Sequence, residues 1–227
     1  MFRSYASGSS GNLYEADDGQ TRILIECGLP IKHMLKLLPE GLSPYAACLI
    51  THEHQDHAKS AHELIRRGMP VYATNGTLGA LQIEGPGAAA IQPLQEFSIG
   101  TLSILPFDVR HDAQKPVGYL IYSMATGDKL LFVTDTYKVG YTFSGLTEIA
   151  IECNFCDDML SSNLPDSLIQ RIKRNHMSLA SCENFLSLCQ LTHVKSVHLL
   201  HLSDGNSNIN KMYLEIKALT GKEVYIA

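Results

Sequence analysis

The sequence predicts an α/β protein, a four-layer αββα sandwich in which two mixed β-sheets are flanked by helices. Three observations lead there. Short strand patterns open each half of the chain and helical patterns finish it, and two sheets packed face to face under outer helices bury the apolar sides of both. Hydrophobic residues make up 45% of the 227 positions and charged residues 18%, enough for a substantial core and far from the composition of a disordered chain. The His and Asp residues able to carry chemistry repeatedly follow strand patterns, where a rigid sheet presents its loops. The length fits one large domain over 1–227.

Taken in order, residues 12–16 and 22–26 read as two strands of a hairpin, with Ile23 and Ile25 alternating with Leu24 and a turn at Asp17-Asp18-Gly19. Pro30 opens a helical pattern through Ile31, Met34, Leu35 and Leu38. A strand follows over 47–51, then a helix from about Lys59 to Arg67 and a short strand at 71–73. The small-residue stretch Gly85-Pro86-Gly87-Ala88-Ala89-Ala90 reads as a loop. Strands are predicted around 102–109, over 118–124 and 129–134 flanking the turn Ala125-Thr126-Gly127-Asp128, and at 149–152. Helices near 166–174 and 179–189, a strand at 196–200, a helix near 209–219 and, after Gly221, a strand at 223–226 complete the chain.

Residues 52–57 read His-Glu-His-Gln-Asp-His directly after the apolar run Cys48-Leu49-Ile50-Thr51. Two residues apart on an extended segment, His52 and His54 keep their imidazoles on one side, while Asp56 and His57 can turn toward a second ion. Imidazole and carboxylate are the ligands a borderline divalent ion takes, and two such ions suit hydrolysis. Exposed loop histidines are the plain alternative, and the strand before the motif and the partners after it weigh against that. His111, Asp135 and His201 each follow a strand pattern, which makes them further candidate ligands. His33, His62, His193 and His198 read as surface or packing residues.

The net charge of −5 does not suggest a protein coated in nucleic acid. It does not exclude one, since metal ions bring positive charge to a site and Arg171, Lys173 and Arg174 add to it locally, although such a cluster is more often a solvated helix face. The first residues lack the apolar run of a signal peptide, and no segment reaches the roughly 18 apolar residues of a membrane span. These features predict a soluble, cytoplasmic protein without membrane association. Cys27, Cys48, Cys153, Cys156, Cys182 and Cys189 are then expected to be reduced, without disulfides. Cys153 and Cys156 have zinc or redox spacing but no second cysteine pair.

His52, His54, Asp56 and His57, followed by His111, Asp135 and His201, give the chain a signature that resembles the metallo-β-lactamase fold superfamily. Within it the chain is most similar to the YycJ/WalJ-type nucleases, through Ser7-Gly8-Ser9-Ser10-Gly11-Asn12, Thr51-His52-Glu53-His54, Arg110-His111-Asp112-Ala113 and His201-Leu202-Ser203. The resemblance implies one metal held by His52, His54 and His111 and another by Asp56, His57 and His201, with Asp135 bridging. It implies two divalent ions, zinc first and manganese as the alternative, and a metal-held hydroxide that attacks phosphorus. Glu152 and His176 resemble the glutamate and histidine that phosphodiesterase branches place beside their metals, where such a pair can protonate a departing alkoxide. Asp56, Glu152 and His176 are thus the candidate catalytic residues. Ser10 and Asn12, in a tight loop without the lysine and helix of a phosphate-binding loop, are candidate substrate contacts.

The expected function is therefore a metal-dependent phosphodiesterase, an exonuclease on DNA. Hydrolysis of a small ester, thioester or lactone on the same metals, and a noncatalytic metal-binding protein, are the alternatives. The chain leaves the family pattern at Glu26, where an aspartate is common, at Ser60, where a glycine is common, and at Asp204-Gly205-Asn206-Ser207-Asn208. It is also too short for the inserted cap domain of the larger RNA-processing members. The oligomeric state is left open.

Overall fold

β1 (Phe2–Ala6) pairs antiparallel with β2 (Leu13–Asp17), and β2 with β3 (Arg22–Ile25), in a computed structural model that describes residues 1–160 and 164–227. The chain divides into two compact units, Met1–Asp108 with Ala113–Asp128 and Val109–Asp112 with Lys129–Ala227. The β2–β3 turn belongs to Asp18. Its Oδ1 accepts from the amides of Gln20 and Thr21 at 3.0 and 2.8 Å, and its Oδ2 accepts from the hydroxyls of Thr101 and Ser123 at 2.6 and 2.7 Å. Burial alone would raise its pKa; the Thr101, Thr21, Ser123 and Gln20 donors outweigh that and hold the carboxyl at about 2.

From β3 the first unit continues in parallel crossovers. α1 (Ile31–Leu37) leads to β4 (Tyr45–Leu49), α2 (Gln55–Ala58) and α3 (Ala61–Arg66) lead to β5 (Val71–Thr74), and α4 (Asn75–Ala80) leads to β6 (Ala88–Ile91). The sheet order is β1-β2-β3-β4-β5-β6. Leu13, Leu24, Met34, Cys48, Ile50, Leu64, Val71 and Leu78 belong to one buried cluster between this sheet and its helices, which is why strand and helix periods are both read so plainly here.

The stretch read as a loop at 85–90 is in part a strand. Ala88, Ala89 and Ala90 lie opposite Val71, Tyr72 and Ala73. Alanine has little intrinsic preference for a strand, so the parallel pairing with β5 decides the outcome. β7 (Phe97–Ile99), β8 (Leu102–Asp108) and β9 (Val117–Ser123) form an antiparallel meander that completes the first unit. β1, α2, α4 and β7 had no counterpart among the expected elements.

The second unit is built on β10 (Lys129–Val133), β11 (Glu148–Glu152), β12 (Ser196–Leu200) and β13 (Glu223–Ile226), which run parallel to one another. Parallel strands are covered on both faces, and accordingly Leu130–Val133 and Ile149–Ile151 are buried without alternation. α5 (Asp166–Asn175), α6 (Leu179–Leu188) and α7 (Ile209–Thr220) are the helices of this unit. Asn208 accepts from the amide of Lys211 to start α7, and Gly221, with φ 65°, ends it. The chain is thus α/β, with two mixed β-sheets flanked by helices. Among the described residues no helix is long and apolar enough to cross a membrane.

Candidate metal centre

In the first unit β3 and β4 end side by side, with Ile25 opposite Leu49. The segments that follow, Glu26 to Gly28 and Thr51 to His57, therefore leave the sheet together. Glu26 takes a left-handed φ of 66°, a conformation that costs a side-chain-bearing residue and persists only where its surroundings enforce it. Its amide donates to Leu49 O at 2.8 Å. Its Oε1 accepts from the Thr51 amide at 3.3 Å and lies 3.6 Å from His57 Nδ1. Oε2 is buried, with no hydrogen-bond partner among the described residues. Burial pushes the Glu26 carboxyl above the usual carboxylate range, and His57 only partly offsets that.

His54 sits at the N-terminal cap of α2, and the amide of His57 returns to His54 O at 2.9 Å. That single turn folds the motif back on itself, so the His52 ring lies 4.6 Å from His54 and 4.1 Å from His57 between centroids. Asp56 Oδ2 is 3.3 Å from His57 Nε2. Gly28 is what lets the turn approach the β3 end, since a Cβ there would stand 1.6 Å from Asp56 O. Ser60, the departure from glycine, donates to Leu29 O at 2.6 Å and ties the α2–α3 junction to the same segment.

Asn12, expected to contact substrate, lies beside the histidine turn. It is fully buried; its Nδ2 donates to Asp56 O at 3.0 Å and lies 3.2 Å from His57 Nε2, while its Oδ1 accepts from the Gly8 amide at 2.9 Å and the Tyr14 hydroxyl at 2.8 Å. With its amide engaged in this way it supports the histidine turn. Ser10, in the same loop, is exposed.

In the second unit three parallel strands deliver three of the candidate residues. Val133, Ile151 and Leu199 share a register across β10, β11 and β12, so Asp135, Glu152 and His201 emerge at neighbouring carboxyl ends, the position where open α/β sheets bind ligands. Asp135 and His201 adopt left-handed φ values of 46° and 53°, which turn their side chains sharply out of the strand direction. Asp135 Oδ1 is 3.3 Å from His201 Nδ1, and its Oδ2 is 3.5 Å from His111 Nε2. His111 is fixed from behind by Asn175 O, 3.0 Å from Nδ1. Burial lowers the His111 pKa, favouring the neutral ring that ligates metals.

Glu152 and His176 complete this half. Glu152 Oε1 is 2.7 Å from His176 Nδ1, and Oε2 accepts from the amides of Thr136 at 2.8 Å and Met177 at 3.2 Å. Burial opposes ionisation of Glu152, but His176 and His201 outweigh it and hold the carboxyl below its ordinary value. Burial likewise works against the His176 cation, and the Glu152 charge and hydrogen bond overcome it, raising the imidazole pKa. The His176 ring stands 5.5 Å from those of both His111 and His201.

Asp135, Glu152, His176 and His201 each offer a nitrogen or oxygen within 4.8 Å of the others. Converging imidazoles and carboxylates, three of the four residues buried, are a donor set suited to a divalent ion. Thr136 and Asn154 were not singled out from the sequence. Thr136 Oγ1 accepts from the Arg110 amide at 2.9 Å, and Asn154 Nδ2 donates to His201 O at 2.6 Å. Both steady a candidate ligand or its neighbour, and nothing in their local sequence marks them. The 204–208 departure serves the scaffold, with Asn206 O accepting from the Cys156 amide at 2.9 Å. His198 stacks on Tyr225 at 4.9 Å, a packing residue as expected.

Residues 21–202 match the model of the β-lactamase superfamily domain. Exodeoxyribonuclease WalJ of Streptococcus pneumoniae is 30% identical over 223 residues, covering 89% of this chain and 81% of the relative. Exodeoxyribonuclease YycJ of Bacillus anthracis is 27% identical over 224 residues, with 91% and 83% covered. The metallo-β-lactamase fold protein YhfI of Bacillus subtilis superposes with a TM-score of 0.78 at 17% identity, covering 100% of this chain and 95% of that one. The short form of human tRNase Z gives 0.68 at 14% identity, with 100% and 95% covered. The chain belongs to the β-lactamase superfamily and has the metallo-β-lactamase fold.

Proposed function

We propose that the chain is a metal-dependent phosphodiesterase, an exonuclease that degrades DNA in the cytoplasm with two divalent ions. Its exodeoxyribonuclease relatives and its clusters of potential ligands support a metal-dependent hydrolase acting on nucleic acid. One ion is assigned to His52, His54 and His111 and the other to Asp56, His57 and His201, with Asp135 shared; the order of these residues along the chain and the family membership support this. Zinc is the first choice and manganese the alternative. When bound, such ions supply Lewis acidity toward water and the phosphate oxygens.

The observation that carries the phosphodiester reading is the Glu152–His176 pair at 2.7 Å. Glu152 takes Nδ1 of the imidazole, which leaves Nε2 as the edge that can hand a proton to a departing oxygen. Burial opposes the protonated ring, and the Glu152 charge and hydrogen bond outweigh it, so the pKa is raised and the proton is held more firmly. An alkoxide leaving from phosphorus needs this help far more than the thiolate leaving from a thioester. Asp56 is kept as a catalytic residue through its assigned ion, and Ser10 as the remaining substrate contact.

Digestion of end-labelled single- and double-stranded DNA and RNA, with zinc or manganese restored after chelation, tests the reading. Metal-dependent release of mononucleotides from DNA is the expected result. Turnover of a thioester with none of the nucleic acids would overturn it.

A further inference from the structure

We infer that the outer face of α5 carrying Arg171 and Arg174 is a binding surface for the phosphate backbone of a DNA strand engaged at the candidate site, an inference that rests on the nuclease reading above. The chain has 18 basic against 23 acidic residues, yet three of the basic ones fall within 171–174. On this helix Ile169 and Ile172 are half-buried, while Arg171 and Arg174 are exposed. Spaced three residues apart, the two arginines lie on one stripe. Lys173 lies off that stripe and is already paired, its Nζ 3.0 Å from Asp157.

The arginines are available to an anion. Arg171 is 69% exposed, and its only ion pair among the described residues, with Asp112, is long at 3.8 Å; so exposed a pair adds little and gives way readily. Arg174 has no ion pair among the described residues. A guanidinium can take two phosphate oxygens at once, which makes arginine the side chain suited to this contact.

What distinguishes this helix from an ordinary solvated face is where it ends. Asn175 O holds His111, and His176 pairs with Glu152, so the C-terminal end of α5 is fastened to two candidate site residues. At a rise of about 1.5 Å per residue, Arg174 stands ~3 Å and Arg171 ~7.5 Å along the axis from His176. Phosphates follow one another at about 3.4 Å along the axis of a duplex strand. A backbone lying along α5 from His176 would therefore meet both guanidinia within its first few phosphates.

The test is binding of fluorescein-labelled single-stranded DNA to the full chain by anisotropy, in EDTA so that no cleavage intervenes, over a range of salt. The double variant Arg171→Ala/Arg174→Ala should bind at least ~10-fold more weakly. Its plot of log affinity against log salt should be shallower by about 1.4, which is two contacts at about 0.7 each for a single strand. Lys173→Ala should bind as the unaltered chain does, and circular dichroism and thermal melts should show all three proteins equally folded. An unchanged affinity and slope in the double variant, an equal loss in Lys173→Ala, or no DNA binding by the unaltered chain would each overturn the inference. Failure of the unaltered chain to cleave DNA with either metal would instead count against the nuclease reading, and the binding series would still decide the role of α5.

Discussion

Glu152 Oε1 meets His176 Nδ1 at 2.7 Å while the opposite carboxylate oxygen is held by the amides of Thr136 and Met177. A carboxylate clamped on both sides cannot rotate away, so the imidazole it orients has one edge fixed and one edge free. Under the proposed function, His176 would be the acid and Glu152 the neighbour that orients it and favours its protonated form.

His176→Ala is expected to lower kcat on DNA by about 10²- to 10³-fold. The loss should be much smaller on bis-p-nitrophenyl phosphate, whose leaving group departs without a proton. The pH profile gives a second measurement. Because Glu152 raises the His176 pKa, activity that requires the protonated ring persists below that raised value and falls as pH rises through it. Glu152→Gln should move this descending limb to lower pH. A His176→Ala enzyme that cleaves DNA at the original rate would remove the acid role.

Glu26 lies 3.6 Å from His57 and also takes the Thr51 amide, one methylene beyond the aspartate that the family commonly carries. Glu26→Ala should weaken binding of one metal ion by about 10- to 100-fold, as loss of a ligand's outer partner typically does. Glu26→Asp should fall between. Competition with a chromophoric chelator measures this directly, and equal affinity in all three proteins would show that Asn12 and Asp56 suffice to hold His57.

Asp18 sets an acid limit on stability. Its pKa is about 2 in the folded chain against 3.8 ordinarily. A depressed pKa means a contribution that is complete above the unfolded value and is lost as pH falls from about 4 through 2. Asp18→Ala should cost about 1–2 kcal/mol near neutral pH and less at pH 2, read as a urea midpoint that differs from the unaltered chain at pH 7 and converges with it in acid.

Gly28→Ala should destabilise the first unit by about 3 kcal/mol or more, because its Cβ would fall 1.6 Å from Asp56 O, a backbone atom that cannot swing aside. Thermal melting with and without added zinc checks both consequences: a lower Tm, and a smaller rise in Tm on metal addition.

Much of this was legible from residue order. The strand of Ile23–Ile25, the run before His52 and the helices after Pro30 and Asn208 carry strong periods or caps, and each formed close to where it was expected. Ala88–Ile91 failed because its strand comes from pairing with β5, a long-range fact that alanine does not announce. The motif at 52–57 was plain, while the burial of Asn12 was not, since sequence shows an amide in a glycine-rich loop and not the groups that engage it. Glu26, Asp135 and His201 were noticed for their chemistry, while their left-handed backbones were invisible because no glycine marks them. Thr136 and Asn154 act through hydrogen bonds to segments distant in sequence, and short-range patterns contain no trace of such bonds.

The parallel run β10-β11-β12 has a consequence for how this protein can change. Adjacent strands stand about 4.8 Å apart because backbone hydrogen bonds fix that pitch, and Asp135, Glu152 and His201 project from three successive strand ends. The ruler that spaces these side chains is therefore the peptide group, which every sequence shares. Lengthening the connections between Val133 and Glu148, or between Glu152 and Ser196, rewrites the surroundings while the graduations of the ruler stay fixed. Removing one residue inside β11 does the opposite: it slides Glu152 by about 3.3 Å and turns it to the other face of the sheet. Variation is thus cheap in the loops and nearly forbidden within the strands, whatever substrate the loops come to hold.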